Sequence, residues 1–252
     1  VVFTGLDSNT NPTTSLSFDS AIGGVNFSTS SSPASINYVT VAGLGTLSIE
    51  AAADTPDSAI VIVGTTGTVK QDVVFAKINF KASREDVDIK SITIDRVQSA
   101  DGDFEDISLW DGTTQLGVDQ TLVNSGLDNS STTFTFPASS YWRLPKDVTK
   151  VLTVKADLHG VKSADQAGGT TGDTPKLCIA LGTGDENFAV EGLGVGSGKT
   201  IHASSTSALC SNWMILHKSK PTVAAASLPS TVFAAGEKTL YRWTVTADSR
   251  GD

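Results

Sequence analysis

The chain has 252 residues and a net charge of −9, from 18 Lys and Arg against 27 Asp and Glu. That balance argues against a nucleic-acid partner, which needs basic side chains to neutralise phosphates, and makes a divalent cation the more natural ligand. Hydrophobic residues are 39% and charged residues 18%, while 30 Ser and 31 Thr make up nearly a quarter of the chain. With a single Met and abundant Val, Ile, Thr and Gly, this composition suits strands and turns and argues against helices.

No apolar run reaches eighteen residues, so no segment of this chain spans a membrane as a helix. Val1, Val2, Phe3, Thr4 and Gly5 show neither an initiator Met nor a signal peptide, and the start is not expected to be a gene start. Residues 1–69, rich in Ser, Thr and Asn at their beginning, are expected to be the β-rich end of a preceding repeat and a linker. Asn26-Phe27-Ser28 within them, and Asn129-Ser130-Ser131 later, fit a glycosylation acceptor pattern that this much Ser also produces by coincidence.

From residue 70 to 159 apolar residues alternate with period two. Val74, Ala76, Ile78, Phe80 and Ala82 share one face, with Lys77, Asn79 and Lys81 on the other. The phase slips between Ile89 and Ile92, near Ser91, which predicts a β-bulge. Ile107, Leu109 and Trp110 run into Asp111-Gly112 and the strand resumes at Gln115, a hairpin. Phe134 and Phe136 share a face, and Leu152, Val154, Ala156 and Leu158 alternate again. Short strands at this spacing form an immunoglobulin-like β-sandwich. The fold class expected is all-β, tandem immunoglobulin-like β-sandwich domains, with no helix.

Residues 160–235 are expected to form a second β domain, in which Leu177, Ile179 and Leu181 alternate and Gly192 to Gly198 is a loop. That loop resembles a phosphate loop only in composition: Gly198-Lys199-Thr200 would need a glycine at 193, where Leu193 stands. Cys178 and Cys210, without C-x-x-C spacing, are either a disulfide or two free thiols.

Pro56 and Pro221 lie 165 positions apart, as do Ala82 and Ala247, and the strand Ala76-x-Ile78-x-Phe80 matches Tyr241-x-Trp243-x-Val245 at the same offset. An internal repeat follows. Residues 236–252 are then the first strand of a following repeat, within a tandem array or completing a neighbouring subunit by strand addition.

Asp101, Asp103 and Asp106, around Gly102, offer the alternating carboxylates that calcium requires; a solvated acidic turn is the competing reading. Glu85-Asp86, Asp165 and Asp185-Glu186 are weaker candidates, each expected to be solvated. His159, His202 and His217 sit in no hydrolase motif. Trp110, Tyr141, Trp142 and Trp213 would form a glycan platform if exposed and core anchors if buried.

The stretches from Lys77 to Ile94, from Ile107 to Gly117 and from Leu144 to Asp157 resemble segments of tandem-repeat surface proteins of bacteria, including ultrasmall uncultivated lineages. The resemblance implies an exported, cell-surface, non-enzymatic module of a surface layer, fibre or filament whose partners are copies of itself. The alternative is the stalk or binding domain of an adhesin that recognises glycan or another cell. A third reading is an accessory domain of a secreted polysaccharide-active enzyme. No catalytic residue is carried over.

Overall fold

The computed structural model describes residues 44–97, 101–123, 130–162, 169–179, 189–204, 209–232 and 234–248. The expectation for 1–43 lies outside them, as do Asp165, Asp185-Glu186, Leu181, Asn26 and Asn129. Among the described residues the structure is almost wholly β, with a 3-10 turn at Asp101–Asp103, and no helix is long and apolar enough to cross a membrane.

Among the described residues sixteen strands follow one another: β1 Thr46–Ala51, β2 Ala59–Ile62, β3 Val69–Ser83, β4 Val87–Val97, β5 Phe104–Asp111, β6 Thr114–Gln115, β7 Ser131–Thr135 and β8 Trp142–Leu144. Then come β9 Thr149–His159, β10 Lys176–Ile179, β11 Val190–Gly194, β12 Thr200–Ser204, β13 Leu209–Cys210, β14 Met214–His217, β15 Thr222–Ala225 and β16 Trp243–Thr246. One layer of the sandwich is ordered β1-β3-β9-β5-β6, and the other is centred on β4, which pairs with β7, β8, β10 and β11. β12 joins the layers, pairing antiparallel with β11 and parallel with β1.

The period-two faces meet in one core. Ala76, Ile78, Phe80 and Ala82 of β3, with Leu152, Val154, Ala156 and Leu158 of β9, are buried opposite Val87, Ile89, Ile92 and Ile94 of β4. Phe80, fully enclosed, meets the edge of Trp142 across the layers with ring centroids 5.0 Å apart, so Phe80→Ala would cost about 3–5 kcal/mol. The outward residues are tied at the surface: Lys77 pairs with Asp54 at 2.6 Å and Arg143 with Asp88 at 2.8 Å.

The slip near Ser91 is a bulge: Ser91 faces Glu191 and Ile89 faces Gly192, so Lys90 is the extra residue, and both Ile89 and Ile92 reach the core. The Asp111-Gly112 hairpin forms with Asp111 opposite Thr114 and Gly112 at φ 61, the left-handed conformation that suits glycine.

The expected boundaries at 69/70, 159/160 and 235/236 are corrected by the pairing, the last because β15, short of residue 235, pairs with β16 beyond it. β1, inside the expected linker, is hydrogen-bonded to β3, while β10 and β11, inside the expected second domain, flank β4. β2 pairs in parallel with β14. Strands on both sides of the first two boundaries complete the same ladders, so the described strands between residues 46 and 217 make a single sandwich. A core cut at 70 or 159 would bare the apolar faces of β3 and β4 and leave their backbone groups unpaired.

Candidate functional site

Cys178 and Cys210 stand directly opposite each other on β10 and β13 and are joined by a disulfide, with a Cα–Cα distance of 4.0 Å. The bond fixes the short β13 to β10 and through it to β4. Beside it the Leu177 amide donates to Ser211 Oγ at 3.1 Å, and the Ser211 amide donates to the Leu177 carbonyl at 2.8 Å.

The acidic residues divide between two settings. Asp103 is completely buried, lying where a side chain at Gly169 would strike its Oδ1. Asp106 lies in register with Asp157 across β5 and β9, next to a bulge at Glu105. Burial, then the charges of Asp157, Asp119 and Glu105, push its carboxyl up to about 6, against a smaller opposite pull from His159. His159 Nδ1 lies 3.1 Å from Glu105 Oε2. Among the described residues no group of three or more His, Cys, Asp or Glu side chains is placed to hold a metal ion; the side chain of Asp101 lies outside that description.

Glu85, expected in solvent, is buried instead. Its Oε1 accepts from the Gly45 amide at 2.8 Å and from Ser197 Oγ at 2.8 Å, and its Oε2 accepts from the amides of Gly196 at 2.8 Å and Ser197 at 2.7 Å. The glycines are sterically required: a Cβ at Gly194 would come within 2.5 Å of Glu85 Oε1, and one at Gly45 within 2.7 Å of its Cγ. Burial raises the Glu85 carboxyl, but the Ser197 hydroxyl and the amides of Ser197, Gly45 and Gly196 together hold it below its ordinary value. The glycine-rich loop therefore does cradle an anion with backbone N–H groups, and the anion is the chain's own carboxylate. The expected loop from Gly192 to Gly198 is corrected at its start, since Gly192 to Gly194 belong to β11 and the turn begins after them; nothing in the sequence marked the carboxylate it meets.

The four aromatic residues do not make one platform. Trp142 is a core residue whose Nε1 donates to Asp111 Oδ2 at 2.9 Å. Trp110 is covered by Lys155, whose Nζ lies 4.0 Å from the ring centroid. Tyr141 is packed against the core, and Trp213, the more open one, has Lys176 Nζ 5.4 Å from its ring centroid.

Among the described residues, β15, β16 and the stretch leading into β16 carry a run of exposed apolar side chains. Val223 is 62% exposed, Trp243 58%, Val245 51% and Tyr241 71%. The two strands pair antiparallel, with Val223 opposite Val245 and Ala225 opposite Trp243. In the sandwich, Ile49 of β1 stands opposite Phe80 of β3 and Ala51 opposite Ile78. The next hydrogen bond also repeats: the Ala52 amide donates to the Lys77 carbonyl at 2.9 Å, and the Ala226 amide to the Arg242 carbonyl at 2.8 Å. β16 thus matches β3 at the offset of 165, but β15 matches β1 at 174. The proline correspondence of the repeat is corrected accordingly, because Pro221 leads into the counterpart of β1, whereas Pro56 follows β1 itself.

No family model matches the chain, and neither does any curated protein. Among solved structures, it is similar to the seventh ScaB type I cohesin from Pseudobacteroides cellulosolvens, at 13% identity over 70% of this chain and 94% of that one, with a TM-score of 0.32. It is also similar to a chain of a complex between a CaDoc0917 variant and CaCohA2, at 14% identity over 69% of this chain and all of that one, with a TM-score of 0.27. The sandwich architecture rests on the strand ladders above, independently of these two likenesses.

Proposed function

We propose that this chain is a structural, non-catalytic segment of an extracellular surface assembly, a surface layer or fibre, in which β-sandwich modules follow one another and copies of the chain pack together. The observation that supports it is the strand pair β15–β16, which repeats the pairing of β1–β3 outside the completed sandwich. A repeated structural unit with its own apolar face is what a module-by-module polymer requires. The Cys178–Cys210 disulfide suits an oxidising, extracellular setting. Calcium at the turn bearing Asp101, Asp103 and Asp106 belongs to the same proposal, as an ion that stiffens the module.

Electron microscopy of the purified chain over a concentration series tests the proposal, with ordered sheets or filaments as the expected result. A monomer at every concentration that binds one glycan saturably would replace it with the adhesin reading.

A further inference from the structure

We infer that β15–β16 is the opening strand pair of a second sandwich, and that the occupant of its exposed face is the β4-type layer of a segment of this chain's own kind, corresponding to residues 84–217, whose β9 and β5 counterparts extend the sheet of β15–β16 itself. This deepens the proposed function and rests on it for the repetition of modules. The interface to be built already exists once in the molecule. There, the inner face of β1–β3, with Leu47, Ile49, Ile78 and Phe80 almost wholly buried, is covered by the β4 layer, and Phe80 meets Trp142 at 5.0 Å.

The register transfers that interface position by position. Of the buried positions, Leu47 becomes Pro221, Ile49 becomes Val223, Ile78 becomes Trp243, Phe80 becomes Val245 and Ala76 becomes Tyr241, while the exposed Ala51 remains alanine as Ala225. Every counterpart is apolar or aromatic. At the two neighbouring positions 78 and 80 the larger and smaller side chains exchange places, which keeps the volume of the pair while changing its shape. The opposite face stays polar at three of four positions: Ser48, Asn79 and Lys81 become Thr222, Thr244 and Thr246, while Glu50 becomes Ala224. An exposed face with this pattern is half of a sandwich core.

A completed copy of the chain cannot supply the missing half, because its β4 layer is already closed by its own β1–β3. The occupant is therefore a layer without an opening pair of its own. This separates the inference from association of whole chains through the same face.

The test joins residues 84–219 directly behind Asp248 and follows hydrogen exchange of the β15 and β16 amides, with tryptic cleavage at Lys238 as a second readout. Exchange is expected to slow by about a hundredfold relative to the unextended chain, with Lys238 protected. A second extended chain carries the same segment preceded by its own residues 44–83, to establish that the appended layer folds. Folding there, together with unchanged exchange at β15–β16 in the first, overturns the inference. Val245→Lys is expected to abolish the protection in the extended chain and to leave the melting of the unextended one unchanged. A mass of the unextended chain that doubles, and reverts with Val245→Lys, overturns it in favour of a copy-to-copy face. Protection without any polymer formation refutes the structural-array proposal alone.

Discussion

Removing the Glu85 carboxylate gives the sharpest test of how the sandwich is closed. In Glu85→Ala the amides of Gly45, Gly196 and Ser197 lose their acceptor, together with the Ser197 hydroxyl. Hydrogen bonds to a charged group contribute about 1.5–3 kcal/mol each, and stranded buried donors carry a further desolvation penalty. Gly196 and Ser197 are reachable by water once the side chain is gone, so the four losses do not add in full, and the expected cost is about 3 kcal/mol. For a sandwich of this size that is a fall in Tm of roughly 10 °C. Glu85→Gln keeps one acceptor oxygen but turns an amide donor towards donors, and should cost about 2 kcal/mol. The pH dependence has a definite sign. Because the folded-state carboxyl is held below its ordinary value of 4.5, its stabilisation is present above that value and is lost as pH falls through the folded pKa. Guanidinium unfolding followed by circular dichroism, at pH 7 and through the acid range, measures both quantities. A change under about 0.5 kcal/mol at pH 7, or a gap between Glu85→Gln and the parent that does not narrow in acid, would refute the cradle as the closing contact.

Gly194→Ala should destabilise the parent by setting a methyl 2.5 Å from Glu85 Oε1, and should cost much less in the Glu85→Ala background; additivity in this double-mutant cycle would sink the steric argument. Replacing Cys178 and Cys210 by Ala should lower stability by about 3–4 kcal/mol, from the chain entropy of the loop they close, measured against the reduced and oxidised parent. Asp106, whose carboxyl is raised to about 6, favours folding below the ordinary carboxylate value, and that contribution is lost as pH rises towards 6. Asp106→Asn should therefore stabilise the chain at pH 7 by about 1 kcal/mol, after allowance for solvent screening; a loss of stability in metal-free buffer would contradict this. If calcium binds the turn, Tm rises with added calcium and Asp103→Asn abolishes the rise; identical melts with calcium and with chelator remove calcium from the proposal.

What the sequence made legible follows from local physics. The phase of Ala76, Ile78, Phe80 and Ala82, the turn dipeptide Asp111-Gly112 and the slip beside Lys90 each depend on residues a few positions apart. The structure places all three as the pattern predicts, except that Val74, expected on the face of Ala76, falls opposite Lys155 at a register shift where Phe75 is buried instead. The pairing of β1 with β12, of β2 with β14 and of β4 with β10 and β11 depends on residues far apart in the chain. No periodicity encodes a partner, and this is why one sandwich looked like two domains and a linker. Glu85 escaped for the same reason. It follows Arg84, at φ 73, in what looks like a solvated turn, and only the folded chain brings the Gly194–Ser197 segment over it.

The two offsets in the repeat carry a structural meaning that a single offset would hide. Ile49 and Phe80 face each other across 31 positions of chain, whereas Val223 and Val245 do so across 22. The nine positions by which they differ fall between the paired strands, in the stretch that in the first sandwich includes β2 and the turn at Gly64 and Gly67, both at positive φ. β2 is peripheral, with Ile60 more than half exposed, and it pairs with β14 alone among the described strands. Shortening that connection leaves four of the six paired positions of β1–β3 in the same register in β15–β16, together with the next hydrogen bond, as the matching Ala52–Lys77 and Ala226–Arg242 bonds show. A loop can lose residues at small entropic cost, whereas a slip of one residue in the ladder would turn Val245 and Trp243 to the opposite face. The register is therefore what β1–β3 and β15–β16 share, while the length of the connection between their strands differs.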